Sequence, residues 1–214
     1  MELDIPGVKL IETFPKQHFL AQCTELTHAV YPHDRIYGDY CTVQAHIDAP
    51  AEAVFRYLAR TESLQEWRYA LRQPRLHRAP DLYSFVDLLG EPGETRRYCR
   101  AVSHAQAMTV DFHTAWDQAD ELWMVDLMRV VPSSSVLARP GCVVLWTHCH
   151  HPNYLRNPYP ETAVAERRFW IGDAWPFAYA AHTVELANLK AIAEHRHLLG
   201  RLAYPCVLDA ACAA

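Results

Sequence analysis

The spacing of hydrophobic and polar positions changes along the chain, and each change predicts an element. In the first 39 residues Phe19, Cys23, Leu26 and Val30 recur at spacings of four, three and four, which places them on one face of a helix. Tyr31-Pro32 closes that helix, because the residue before a proline is pushed out of the helical region. From Tyr40 to Asp48 the period becomes two. Cys41, Val43, Ala45 and Ile47 face one way and Thr42, Gln44 and His46 the other, as in a half-buried strand. Asp48-Ala49-Pro50-Ala51-Glu52 then reads as a helix start, with a capping carboxylate, a proline in the first turn and an acidic residue suited to the dipole. Val54, Phe55 and Leu58 form its apolar stripe, and Thr61 or Ser63 can cap a second short helix carrying Leu64 and Trp67.

Strand-like segments resume at Arg75 to Arg78, Tyr83 to Leu89, Thr95 to Ser103, Met108 to Trp116, Leu122 to Val131 and Cys142 to His150. The breaks, Gly90-Glu91-Pro92-Gly93, Asp117 to Asp120 and Pro132-Ser133-Ser134-Ser135, are rich in turn formers and too short for parallel crossovers. An antiparallel meander follows from that. Asp173-Ala174-Trp175-Pro176 resembles an N-cap and first turn, opening a helix to about Leu199 with Val184, Leu186, Leu189, Ile192 and Ala193 on its apolar face and Gly200 as C-cap.

Composition narrows the class. The chain has 214 residues, half of them hydrophobic and 21% charged, enough for one globular domain with a substantial core. A net charge of -5 with scattered Lys and Arg offers no footprint for a phosphate backbone, which excludes a nucleic-acid partner. Met1 to Pro6 lacks the basic start and apolar core of a signal peptide, and no apolar run approaches the roughly 20 residues of a spanning helix. A cytoplasmic protein without a transmembrane segment is the expectation. Seven cysteines at 23, 41, 99, 142, 149, 206 and 212 contain no CxxC pair, so buried thiols are expected rather than a disulfide framework or zinc knuckle. Thirteen histidines are the compositional oddity, compatible with metal ligation, proton transfer or polar surface.

The order of strand, helix pair, strands and long final helix resembles the START-like superfamily that includes pollen-allergen-type carriers and polyketide cyclases. Val43-Gln44-Ala45-His46-Ile47-Asp48-Ala49-Pro50-Ala51-Glu52-Ala53-Val54-Phe55 is similar to its opening, and Leu64-Gln65-Glu66-Trp67 to the usual continuation. The resemblance covers residues 40 to about 200 and implies an α+β helix-grip fold. In that fold a curved antiparallel sheet wraps a long C-terminal helix around an apolar cavity. It divides the chain into an N-terminal extension with one helix (1–39) and a ligand-binding domain (40–214). The extension would cap the cavity or form a homodimer contact. The opening motif holds no catalytic residue, so the resemblance speaks to architecture rather than activity.

Candidate chemistry gathers near the end of the sheet. In Thr147-His148-Cys149-His150-His151-Pro152, His148 and His150 stand two apart on a strand and share a face with Val144 and Trp146. His182 and Glu185, three apart on the final helix, share a face with Leu189 and Ile192 and can meet those histidines. Such a cluster suits acid/base work, a grip on a polar ligand group, or a metal if a third ligand joins. The bland alternative is solvated histidines at a strand end. Asp126 lies between Met124 and Met128 on one strand face, while Arg129 shares the other with Trp123, Val125 and Leu127. Whichever face is concave places one charge among apolar groups, and a buried Asp126 with a raised pKa would serve as general acid. Arg96, Tyr98 and Arg100 read as a solvated stripe, with Cys99, Ala101 and Ser103 facing the core. Trp116, Trp123, Trp146, Trp170 and Trp175 suit an aromatic or polycyclic ligand, and Asn153 to Pro160 falls where a cavity rim belongs.

The leading expectation is a cyclase, aromatase or dehydratase that binds an apolar or aromatic small molecule. Its catalytic candidates are His148, His150, His182, Glu185 and Asp126, and its ligand contacts are Trp116, Trp123, Arg129, Trp146 and Leu189. No cofactor is expected in that reading. A carrier of hydrophobic ligands needs the same cavity without tuned acids or bases, and a metal-dependent enzyme would draw its ligands from the histidine cluster.

Overall fold

In the computed structural model, described for residues 5–30, 40–89, 95–162 and 170–202, seven antiparallel strands form one sheet that curves around a long helix. The elements run α1 (Lys16–Val30), β1 (Tyr40–Ile47), α2 (Ala51–Leu58), α3 (Leu64–Trp67), β2 (Leu71–Leu76), β3 (Leu82–Asp87), β4 (Arg96–His104), β5 (Thr109–Trp116), β6 (Met124–Pro132), β7 (Cys142–Cys149), α4 (Ile171–Ala174) and α5 (Ala178–Leu198). The sheet order is β1-β7-β6-β5-β4-β3-β2. After β1, whose partner is β7, each strand pairs with the next in sequence, as short turns require.

Alternation sets what the concave face carries. On β6 Met124, Asp126, Met128 and Val130 are buried and Leu127 and Arg129 exposed; on β7 Cys142, Val144, Trp146 and His148 point inward. Helix α5 lies against β1 and buries Leu186, Leu189 and Ile192 in the main core, while Val184 packs with Phe19 and Tyr69 in a second cluster. The turn into β7 needs Gly141. Its φ is +94°, and a Cβ there would stand 2.5 Å from the Ile47 carbonyl oxygen.

Several local expectations shift. β2 begins at Leu71 rather than Arg75, and its alternation is hidden by an irregularity between Arg72 and Arg75 where Gln73 takes φ +54°. Asp48 does not cap α2, whose N-cap is Pro50; the Asp48 amide instead donates to Glu194 Oε1 at 2.7 Å. Neither Thr61 nor Ser63 caps through its side chain, since residues 61–63 themselves form a 3-10 turn leading into α3. The final helix is broken by a 3-10 turn, Trp175–Phe177, where Pro176 brings no N–H for an α-helical bond. At its far end Gly200 (φ +65°) behaves as expected. The Gly200 amide donates to His197 O and the Arg201 amide to Arg196 O, a paired closure of orphan carbonyls.

The segment before Tyr40 is tied to the same body. Phe19 and Cys23 are buried, Leu26 is partly buried, and α1 packs against α5. Tyr31-Pro32, the turn at 90–93, and Cys206 and Cys212 lie outside the described residues. Cys23, Cys41, Cys99 and Cys142 are buried free thiols and Cys149 is half-buried. No helix among the described residues is long and apolar enough to cross a membrane.

Candidate active site

The β6–β7 register sets Asp126 directly across from His148 and Met128 across from Trp146. Asp126 is 3% exposed and has a partner on each side. Its Oδ1 accepts from Trp146 Nε1 at 2.9 Å and from His148 Nδ1 at 2.5 Å, and its Oδ2 lies 3.3 Å from Arg68 Nη1. An ionised carboxylate only accepts, so Nδ1 of His148 carries the ring proton and Nε2 is left to accept. What it accepts is the hydroxyl of Tyr154, from the 3-10 turn Pro152–Tyr154 just past β7. Asp126, His148 and Tyr154 thus form a continuous hydrogen-bonded relay.

Helix α5 supplies the opposite wall. His182 stacks on the Trp146 ring at 4.0 Å between centroids and meets His148 edge-on at 4.9 Å. One turn further on, Glu185 accepts the Tyr69 amide at 2.9 Å and stands 3.1 Å from Arg68 Nε. Arg68 therefore bridges a sheet carboxylate and a helix carboxylate, with its guanidinium 5.0 Å from the Trp146 ring centre and 5.7 Å from that of Trp67.

Burial and charge pull these groups in different directions. Burial works against ionisation of Asp126, but the His148 ring, which donates to it, and the Arg68 guanidinium together outweigh it and hold the carboxyl well below the usual range. Asp126 is therefore an anion, opposite to the raised value that burial alone suggests. Burial, with the field of Arg68, holds His182 well below an ordinary imidazole, so it is neutral. Burial raises Glu185 despite the opposing pull of Arg68, and burial and the Asp126 charge keep the Tyr154 phenol well above its usual value.

The neutral His182 gives an acid-side signature. An unfolded chain protonates this imidazole near pH 6.5 and the folded chain does not, so the unfolded state gains protons as pH falls through that range and stability drops. Glu185 acts in the opposite sense and is left in place by His182→Phe. Thermal melts from about pH 7.5 to about pH 5.5 are expected to fall more steeply for the wild type than for His182→Phe. Parallel curves would mean that His182 titrates normally.

These groups border a cavity of about 120 Å³. Arg68, His148, Tyr154, His182 and Glu185 reach its wall, and Phe19, Tyr69, Trp116 and Trp175 supply rings. Arg97 lines it as well, donating to Asp87 Oδ2 at 2.7 Å beside the Trp116 indole, which donates to the same oxygen at 3.1 Å.

Among solved structures, the Zhui aromatase/cyclase from Streptomyces sp. R1128 aligns with a TM-score of 0.50 at 14% identity, covering 74% of this chain and 94% of that one. XoxI from Bacillus cereus gives 0.50 at 12% identity over 72% and 95%. A START superfamily protein from Mycobacterium smegmatis gives 0.47 at 11% over 76% and 99%. The fold, a curved antiparallel sheet around a long C-terminal helix, is the helix-grip fold. No family model matches the chain, and no curated protein matches it significantly by sequence, so the likeness is one of architecture.

Within this fold, the expected site residues separate. His148, His182, Glu185 and Asp126 come together. His150 does not join them: β7 ends at Cys149, and the His150 ring packs 4.5 Å from Trp175 and 5.2 Å from Tyr154. Trp116 lines the cavity. Trp146 and Leu189 are wholly buried, Trp146 behind His182 and Leu189 in the core. Trp123 packs edge-on behind Tyr154 at 5.3 Å. Arg129 is a correction. It is exposed on the convex face, because the inward positions of β6 are the even-numbered ones. Arg68, Arg97 and Tyr154 were not singled out. The only sequence signal for Arg68 is a lone cation inside the apolar stretch Trp67 to Leu71, and Tyr154 lies in a segment without periodicity.

Asp126, His148 and His182 each offer a ligand atom within 4.8 Å of the others. The donor set does not fit a metal without breaking the relay. Both nitrogens of His148 are committed, to Asp126 and Tyr154, and a dication at Asp126 would face the Arg68 guanidinium.

Proposed function

We propose that the protein is an acid/base enzyme of the cyclase, aromatase or dehydratase kind, acting on a small hydrophobic molecule held in the cavity. One observation carries this reading: a buried histidine bound at one nitrogen by an ionised aspartate and at the other by a phenol on the cavity wall. A carrier needs an apolar cavity alone, and burying this polar chain would then be a cost without a use. That an aromatase/cyclase is built on the same fold agrees with the reading.

The relay moves protons as follows. A proton leaving the carbon beside a substrate carbonyl passes to Tyr154 Oη while the phenolic proton moves onto His148 Nε2, and Asp126 stabilises the imidazolium so formed. Running in reverse, the same chain returns that proton to a departing β-hydroxyl. The C–H and C–O bonds break, a C=C bond forms and water leaves, with no net change in the enzyme's protonation. His182, neutral and edge-on to His148, adds no opposing charge to the imidazolium.

The test uses 3-hydroxycyclohexanone, a single-ring β-hydroxy ketone, and follows formation of cyclohexenone together with deuterium exchange at the carbon beside the carbonyl. Wild-type protein is expected to accelerate both, and His148→Ala to reduce both by about 10²-fold or more. If a ligand co-purifies and is released unchanged, and neither reaction exceeds the buffer rate, the protein is a carrier.

A further inference from the structure

We infer that the cavity selects single-ring ligands that carry no negative charge and that Phe19 on α1, ahead of the sheet, is the residue that sets the size limit. The inference rests on the cavity being the ligand site, and it holds whether or not the ligand is turned over.

Size is the first ground. A void of roughly 150 Å³ accommodates one benzene, and this cavity measures about 120 Å³. A fused second ring exceeds this volume and has to push a wall aside or project from the cavity's open side. The wall contributed by α1 is Phe19, 3% exposed and stacked almost parallel on Tyr69 at 3.8 Å, both rings bordering the cavity.

The stretch leading into Phe19 is held in place by bonds from residues 9 to 16. Arg72 forks the Glu12 carboxylate through Nε and Nη2 at 2.6 and 2.7 Å. The Ile11 amide donates to Tyr69 O at 3.2 Å, Tyr69 Oη donates to Phe14 O at 2.8 Å, and Lys16 Nζ donates to Leu89 O at 2.7 Å. Asn188 on α5 exchanges two hydrogen bonds with the Lys9 backbone, each 2.7 Å. The segment before the sheet is thereby fastened to Tyr69, the residue after Arg68, and to Arg72, which donates to the Arg68 carbonyl at 3.0 Å, and Phe19 is a fixed wall.

Charge is the second ground. The guanidiniums on the cavity wall are Arg68, paired with Asp126 and Glu185, and Arg97, paired with Asp87. Among the described residues, no cation on that wall lacks a carboxylate partner. A ligand carboxylate would enter against three protein carboxylates, whereas a hydroxyl or carbonyl group enters without that opposition.

Isothermal titration with phenol, 1-naphthol and benzoate tests both parts. Wild-type protein is expected to bind phenol about tenfold or more tightly than either of the others. Phe19→Ala is expected to reverse the phenol-to-naphthol order. Phe19→Leu, which keeps an apolar side chain in the α1 packing, gives an intermediate ratio and covers the case in which the alanine variant fails to fold. Glu12→Ala lies outside the cavity, its side chain 53% exposed, and is expected to narrow the naphthol penalty by loosening the clamp. Naphthol or benzoate binding as well as phenol to the wild type, or a naphthol-to-phenol ratio unchanged in the folded Phe19 variants, would overturn the inference. Because every readout is affinity, a failed dehydration assay leaves it standing.

Discussion

Asp126→Ala is expected to cost the fold about 3–5 kcal/mol, the penalty for removing one partner of a buried ion pair, which for a chain of this size lowers the melting temperature by roughly 6–20 °C. The carboxylate is held well below its usual range by partners that lose their counter-charge when it goes. Arg68 keeps Glu185 but is buried with one carboxylate fewer, and the Trp146 and His148 N–H groups lose their shared acceptor. The cation–π contacts of Arg68 soften this without replacing a charge-assisted bond. Urea unfolding of Asp126→Leu, Arg68→Met and the double variant Asp126→Leu/Arg68→Met, beside Asp126→Ala, checks the mechanism. The double variant removes both charges and should be less destabilised than the sum of its single changes. Additive losses would mean that the pair is screened by water and that Asp126 is an ordinary polar group.

Tyr154→Phe is expected to do the opposite: little to stability, much to rate. Only the hydroxyl is removed, and the ring remains packed edge-on to Trp123 and Trp175. The relay then ends at His148 Nε2 with no group to hand the proton on. In the 3-hydroxycyclohexanone assay kcat should fall by about 10²–10⁴-fold, with KM and Tm close to wild type. A fall in KM-determined affinity at constant kcat would make Tyr154 a ligand grip, and the proton path would have to run through His182.

Much of the fold was legible because period is a local property. The alternation through Val43 to Ile47 and Met124 to Val130 identifies strands without knowledge of their partners, and the helix pair after β1 follows from Pro50 and the short stretch around Leu64 and Trp67. The site was legible only in part. Asp126 and His148 stand out as polar residues at core positions. That they face each other depends on the length of the β6–β7 hairpin, and pattern alone leaves open which of Asp126 and Arg129 turns inward. His150 was carried into the site by extending the alternation one residue past the strand's end. Arg68 and Tyr154 sit where the backbone is irregular, so their placement is decided by tertiary packing that no local spacing encodes.

The hairpin joining β6 to β7 has a consequence for how such a site can diverge. Pro132 pairs with Cys142, and every inward residue beyond that pair, as far as Asp126 and His148, inherits its partner from it. Gly141 guards the pairing from below, since any side chain there strikes the Ile47 carbonyl. The tip itself, with Val136 and Leu137 exposed, is where insertions should be tolerated. Lineages descended from this chain are therefore free to lengthen the tip without disturbing proton chemistry. A two-residue slip at its base would trade the aspartate opposite His148 for a methionine and extinguish the relay in one step.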